Sequence, residues 1–235
     1  MKKMSKLGVA IAVVAAFAAP SVMASTFVSV GDKMTFADGP GASPGGAFNI
    51  TNHGSTGNLN VDLGSFLTFC LEYNEYMSYG TALYTVGSIT TEARLGGAGG
   101  RQGPSGSTFD PLSAKTAYLY TNYMSAGHGA LGAVFGSASA VDKGTAMQQA
   151  IWYLEDEIGL GSVNTLANSL LTAANSSGWT TTGQVKVLNL YNANGGNSQD
   201  QLYLAPVPLP AAGLLMASAL GLGGLFTRRR KNTKQ

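Results

Sequence analysis

Residues 142–157, DKGTAMQQAIWYLEDE, decide how this chain folds. Apolar side chains recur here at helical spacing: Ala146, Ala150 and Tyr153 share one stripe with Gln149, while Met147, Ile151 and Leu154 share another. Asp142 is a suitable N-cap, so the spacing predicts a helix from there to about Glu157. A second helix is expected over 113–125, with Ala117, Leu119, Tyr120 and Tyr123 on its apolar side, and a third from a cap at Asn164 to about Ala174. Before this block the pattern is that of strands: 26–30, 33–36, the apolar and aromatic run 65–76, and 82–86. The Gly/Ser/Asn/Pro-rich stretches 37–60 and 95–111 read as loops. Residues 184–191 and 201–205 read as closing strands. Strands, then helices, then strands give an α+β domain with a β-sheet and a helical segment. It occupies residues 25–205, shows no internal repeat, and is long enough for a real core.

Composition narrows the function classes. Of 235 residues only 11% are charged, one is cysteine and two are histidine. A lone cysteine excludes an intramolecular disulfide framework, and the Cys/His count leaves no zinc-cluster spacing. The net charge of +2 hides a segregation. Lys2, Lys3, Lys6, Arg228, Arg229, Arg230, Lys231 and Lys234 lie at the two ends, and all acids lie between Asp32 and Asp200. The middle carries six basic and twelve acidic residues, a net of −6. Such a domain does not seek phosphate backbones, so nucleic acid is not an expected partner.

The apolar ends have different jobs. Residues 1–24 read as a secretory signal peptide: a basic start, an apolar run over 7–19, and Val22-Met23-Ala24 before a cleavage point at Ser25. Residues 207–227 carry no charge, about the ~20 residues a membrane-spanning helix needs, and Arg228, Arg229 and Arg230 follow as a basic stop. This order places the C-terminus inside and the domain outside the cytoplasm. A permanent anchor is one reading of the tail. The other comes from Val207-Pro208-Leu209-Pro210-Ala211, a span and an arginine cluster, over residues 206–235. This arrangement resembles the PEP-CTERM sorting signal in its VPLPA variant. The resemblance implies a Gram-negative envelope protein whose partners are the inner membrane and an exosortase, a protease that cleaves near the motif. It also implies release to the cell surface or extracellular matrix, with extracellular polysaccharide as a candidate partner.

Several motifs within the domain are weak. Gly127-His128-Gly129-Ala130-Leu131-Gly132 has dinucleotide-fingerprint spacing but follows a helix rather than a strand, and reads as a helix–helix connection. Ser105 lacks nucleophile-elbow spacing, and His53 and His128 lie in glycine-rich loops, where solvated side chains are expected. Glu155-Asp156-Glu157 reads as a solvated turn, without the alternating acids of a calcium loop.

Cys70, in Phe66-Leu67-Thr68-Phe69-Cys70-Leu71-Glu72, has two readings. It is a small buried hydrophobe, or it is a nucleophile. The second follows from Met147-Gln148-Gln149-Ala150-Ile151-Trp152, 78 residues later. The aromatic-Cys-aliphatic-acidic strand together with Gln-Gln-Ala-Ile-Trp resembles the Cys–Gln thioester domains of bacterial surface adhesins. The resemblance implies that the Cys70 sulfur attacks the side-chain carbonyl of Gln148, with Gln149 as the neighbouring alternative. Ammonia leaves, and the internal thioester then captures an amine on a surface target in a single turnover. Such a protein is not an enzyme and uses neither cofactor nor metal. Gln148 is expected at the first turn of its helix, where free N–H groups favour an oxyanion; Trp152 and Tyr153 are expected to exclude water. The alternative is a passive structural protein of the envelope or biofilm matrix with a buried free cysteine.

Overall fold

The computed structural model describes residues 27–42, 45–94 and 109–206. The signal peptide, the sorting motif, the 207–227 span, the basic stop and Ser105 lie outside the described residues. Among the described residues no helix is long and apolar enough to cross a membrane.

The fold is α+β. Among the described residues, eight strands and four α-helices follow one another as β1 (Lys33–Ala42), β2 (Gly45–Asn52), β3 (Ser65–Thr68), β4 (Tyr84–Thr90), β5 (Glu92–Arg94), β6 (Phe109–Pro111), α1 (Ala114–Met124), a short α2 (Gly132–Phe135), α3 (Ala140–Leu154), α4 (Thr165–Ser176), β7 (Val185–Tyr191) and β8 (Asn197–Leu204). Six strands form one antiparallel sheet in the order β3-β2-β1-β4-β7-β8; β5 and β6 form a separate ribbon. The large sheet curls until its ends meet. Just past β3, the Phe69 carbonyl accepts from Leu202 N–H at 3.0 Å, Leu71 N–H donates to the Asp200 carbonyl at 3.1 Å, and Cys70 bridges Gln201. Both outer strands thereby gain a partner, as in a barrel, where closure removes edges.

Alternation along the strands separates two cores. Met34, Phe36, Ile50, Phe66, Tyr84, Val86, Leu190 and Tyr203 fill the inside of the curled sheet. Phe69, Leu71, Val185, Val187 and Leu202 face outward and join Leu119, Tyr120, Met147, Ile151 and Leu170 from the helices. Helix starts follow side-chain capping: Ser113 accepts from Thr116 N–H, Ser139 from Asp142 N–H and Asn164 from Ala167 N–H.

The helix expected over 113–125 and the cap at Asn164 match the structure. Other expectations change. Of the described residues in the stretch 37–60 only 53–60 are a loop; β1 runs to Ala42 and pairs with β2, Gly45–Asn52, as a hairpin, its glycines fitting close approaches. Strand 26–30 is absent, since 27–29 have no regular structure. The 65–76 strand stops at Thr68, and 71–83 is irregular. Asp142 is not the cap of α3; it lies inside the first turn and Ser139 caps it. Gly127, His128 and Gly129 do form the α1–α2 connection, with φ of 62°, 62° and 50°.

One close approach sets the position of α3. A Cβ at Gly144 would strike the backbone carbonyl of Pro40 in β1, so glycine lets the helix rest on the hairpin. We predict that Gly144→Ala lowers the thermal unfolding midpoint, because overpacking costs about 1–3 kcal/mol against a helix-propensity gain of about 1 kcal/mol. A raised midpoint in a melting experiment would show that no such contact exists.

Candidate functional site

Cys70 lies on the seam where the sheet closes. The turn of chain after β3 is fixed from β8: Thr68 Oγ1 donates to the Leu202 carbonyl at 2.6 Å, and the flanking ladder bonds hold residues 69 and 71. The Cys70 side chain is 1% exposed.

Gln148 reaches it from α3. Gly144, Gln148 and Trp152 repeat at four-residue spacing and so share one face of the helix, the face turned to the hairpin and the seam. Gln148 is fully buried. Its Nε2 donates to the Cys70 carbonyl at 2.8 Å, and its Oε1 accepts from Cys70 N–H at 3.2 Å. The carboxamide is thus clamped at both ends by one residue's backbone. Cys70 Sγ lies 3.3 Å from the same Oε1. The two side chains singled out in the sequence therefore touch. Gln149 does not join them; its Oε1 accepts from Asn164 N–H at 2.9 Å, at the start of α4.

Gln148 is not at the first turn of its helix, as expected, but in the middle of α3. Backbone N–H groups there serve the helix and cannot stabilise an oxyanion. The donor aimed at Oε1 is instead the N–H of Cys70 itself. Sequence alone offered no signal for this, because it depends on the seam.

Trp152 covers the pair. It is 5% exposed, packs edge-on against Tyr73 at 4.9 Å between ring centroids, and lies so close to Gly45 that a Cβ there would meet its ring. Its Nε1 is buried and makes no hydrogen bond of good geometry among the described residues, but it is near enough to the Cys70 sulfur to favour a negative charge there. Tyr153 does not share this role; it packs against the helical core.

The sequence reading missed an acidic shell around the pair. Glu72 is buried; its Oε2 accepts from Asp200 N–H at 2.8 Å and its Oε1 has no partner among the described residues. Asp200 in turn accepts from Arg94 N–H at 2.6 Å, Asn189 Nδ2 at 2.6 Å and Leu190 N–H at 3.1 Å. Glu157 accepts from Tyr73 N–H at 2.9 Å, and Gln199 Nε2 donates to the carbonyls of Glu72 and Glu75, fixing the 72–75 loop. Burial pushes Glu72 well above the usual carboxylate range, with Asp200 and Glu75 adding to it. Burial, then Asp200 and Glu157, lift Glu75 to about 7. Burial lifts Asp200 to about 6 despite its hydrogen bonds. The Cys70 thiol is also raised, by burial first and Glu72 second, while the neighbouring Trp152 side chain works the other way.

Glu155 is no solvated turn. It is buried, accepts from Ser113 N–H at 3.3 Å and from Thr116 Oγ1, and so ties the end of α3 to the start of α1. An acid at a helix N-terminus is favoured by the dipole, yet burial still lifts it to about 7. The histidines are not solvated loop residues either. His53 is buried between Thr35 Oγ1 at 2.7 Å and the Val61 carbonyl at 2.6 Å; His128 bonds the Tyr123 carbonyl at 3.0 Å and packs on Phe135.

Comparison of the chain with protein families, with curated proteins and with solved structures finds no match.

The raised carboxyls fix a pH dependence. In the unfolded chain they lose their protons near their ordinary values of about 4, whereas the folded chain holds them until about 6 for Asp200 and about 7 for Glu155 and Glu75. Over that window the folded state binds more protons, so stability falls as pH rises. Thermal melts between pH 4.5 and 8 should show the midpoint dropping steadily toward the alkaline side, through pH 7. A midpoint that rises over this range would contradict the buried, protonated shell.

Proposed function

We propose that this chain is an exported surface protein whose domain closes an internal Cys70–Gln148 thioester and uses it once, to bind covalently to an amine-bearing target. The observation that supports this is the clamped contact of Cys70 Sγ with the Gln148 carboxamide, at 3.3 Å from Oε1. Near-attack placement removes much of the barrier to an otherwise slow step. The sulfur bonds to Cδ, the thiol proton passes to Nε2, the C–N bond breaks and ammonia departs. Cys70 N–H is in place for the oxyanion. The raised thiol means that sulfur enters with its proton, which the leaving nitrogen needs. Trp152 shields the product from water. Export and sorting rest on residues 1–24 and 206–235: signal peptide, Val207–Ala211 motif for an exosortase, span, and the Arg228–Arg230 stop. Extracellular polysaccharide is the matrix such a protein would enter.

A second reading has its own support. The Gln148 carboxamide satisfies both polar groups of Cys70 with no reaction at all, and buried polar groups are normally paired. The protein is then a passive envelope component.

Intact-mass measurement separates the two. The thioester reading predicts a folded chain lighter than its sequence by one ammonia. Methylamine should add at Gln148 and release one titratable thiol. Cys70→Ala should remove both effects while keeping the fold, since the clamp on Gln148 is made by backbone. A full-mass folded chain with one free thiol supports the passive reading. For sorting, Pro208→Ala together with Pro210→Ala should leave the tail apolar but abolish its processing in the producing cell; unchanged processing would reduce the tail to an anchor.

A further inference from the structure

The cleft over Cys70 carries charge that the thioester reading leaves unused. It encloses about 390 Å³ and has Cys70 and Trp152 in its lining. Two carboxylates, Asp38 and Glu75, also line it, and no lysine or arginine is among its described lining residues. Its walls are aromatic: Tyr73, Tyr76 and Tyr79 are 40%, 83% and 52% exposed, and Tyr79 leans on Phe48 with 6.0 Å between ring centroids. The Trp152 ring belongs to the same lining. Carboxylates and aromatic faces both stabilise a cation, and anionic ligands are repelled. A primary ammonium ion fits this charge and shape, but it has no lone pair and cannot attack a carbonyl until it loses a proton.

We propose that Glu75 is a catalytic residue of this site: it receives a cationic primary alkylamine in the cleft and takes its proton. This inference rests on the thioester reading. Glu75 is the half-buried carboxylate of the cleft, five residues beyond Cys70 on a loop whose carbonyl is held by Gln199 at 2.7 Å; Asp38 is exposed on the rim. Glu72 on the same loop, Asp200 from β8, Glu157 after α3 and Asp38 from β1 are the other charged groups of this region, together with the Cys70 thiol. With its proton affinity lifted to about 7, Glu75 is ionised in about half of the molecules at neutral pH and is a stronger base than an ordinary carboxylate. The step balances. Glu75 takes one proton from the ammonium; the freed nitrogen bonds to Gln148 Cδ; the C–S bond breaks; the second nitrogen proton passes to the Cys70 sulfur, giving a thiol. Glu75 returns its proton to solvent, and the target is joined to Gln148 through an amide.

The test uses the intact chain and two probes: cadaverine, which is cationic at neutral pH, and hydroxylamine, which is uncharged there. Mass is followed against time for wild type, Glu75→Gln and Glu75→Asp. In wild type, cadaverine addition should rise with pH through a midpoint near 7 and level off above it, because the reactive state pairs ionised Glu75 with the ammonium. Glu75→Gln should keep the ammonia deficit and the hydroxylamine rate. It should lose at least about tenfold in cadaverine rate at pH 7, within the usual reach of general-base catalysis. Its cadaverine rate should climb with pH without a plateau, following free amine alone. Glu75→Asp should recover part of the cadaverine rate. Equal cadaverine rates in wild type and Glu75→Gln, or equal slowing toward both probes, would overturn the proposal while leaving the thioester intact. A wild-type chain without the ammonia deficit would overturn the thioester reading, and this inference with it.

Discussion

The contact between the Gln148 carboxamide and the Cys70 backbone ties the two halves of the domain together. On one side is the seam that closes the sheet; on the other is α3, lowered onto the β1–β2 hairpin by Gly144. A fully buried amide that found no partner would cost about 1–3 kcal/mol, so the position of α3 and the closure of the seam are mutually constrained. If α3 withdrew, Cys70 N–H and C=O and both ends of the carboxamide would be stranded together. The same constraint that satisfies four polar groups also presses a thiol against a carbonyl. The geometry that stabilises the fold is also the one the proposed thioester needs, and the Gln148 carboxamide is held by the Cys70 backbone rather than by other side chains.

Around that contact the protein places acids where most domains place apolar groups. Glu72, Glu75, Glu157 and Asp200 converge on the 71–75 loop, and three of them show clear upward displacement by burial or by one another. Hydrogen bonds from β5 and β7 hold the Asp200 carboxylate in place. The result is a site that suppresses the thiolate and favours cations at its mouth. A buried thiol with a raised proton affinity is poorly reactive toward oxidants.

The sequence showed the helices well because their apolar spacing and their caps at Ser113 and Asn164 are local signals. Motif letters singled out Cys70 and Gln148, and the two lie in hydrogen-bonded contact. The sequence did not show the β1–β2 hairpin, since glycines that read as loop residues allow close approach across the hairpin at Gly39, Gly41 and Gly46, and of Trp152 at Gly45. Nor did it show closure of the sheet, which depends on a bridge between residues 70 and 201, far apart in the chain. Two errors about the site follow from that: the oxyanion donor was sought at a helix start rather than at Cys70 N–H, and Glu155 and His53 were read as solvated when tertiary contacts bury them.

The most direct check of the central claim is a high-resolution crystal structure of freshly purified, reductant-free protein. The account predicts continuous density at bonding distance between Cys70 Sγ and Gln148 Cδ, with no density for Nε2. An intact carboxamide, still donating to the Cys70 carbonyl beside a separate thiol, would contradict it.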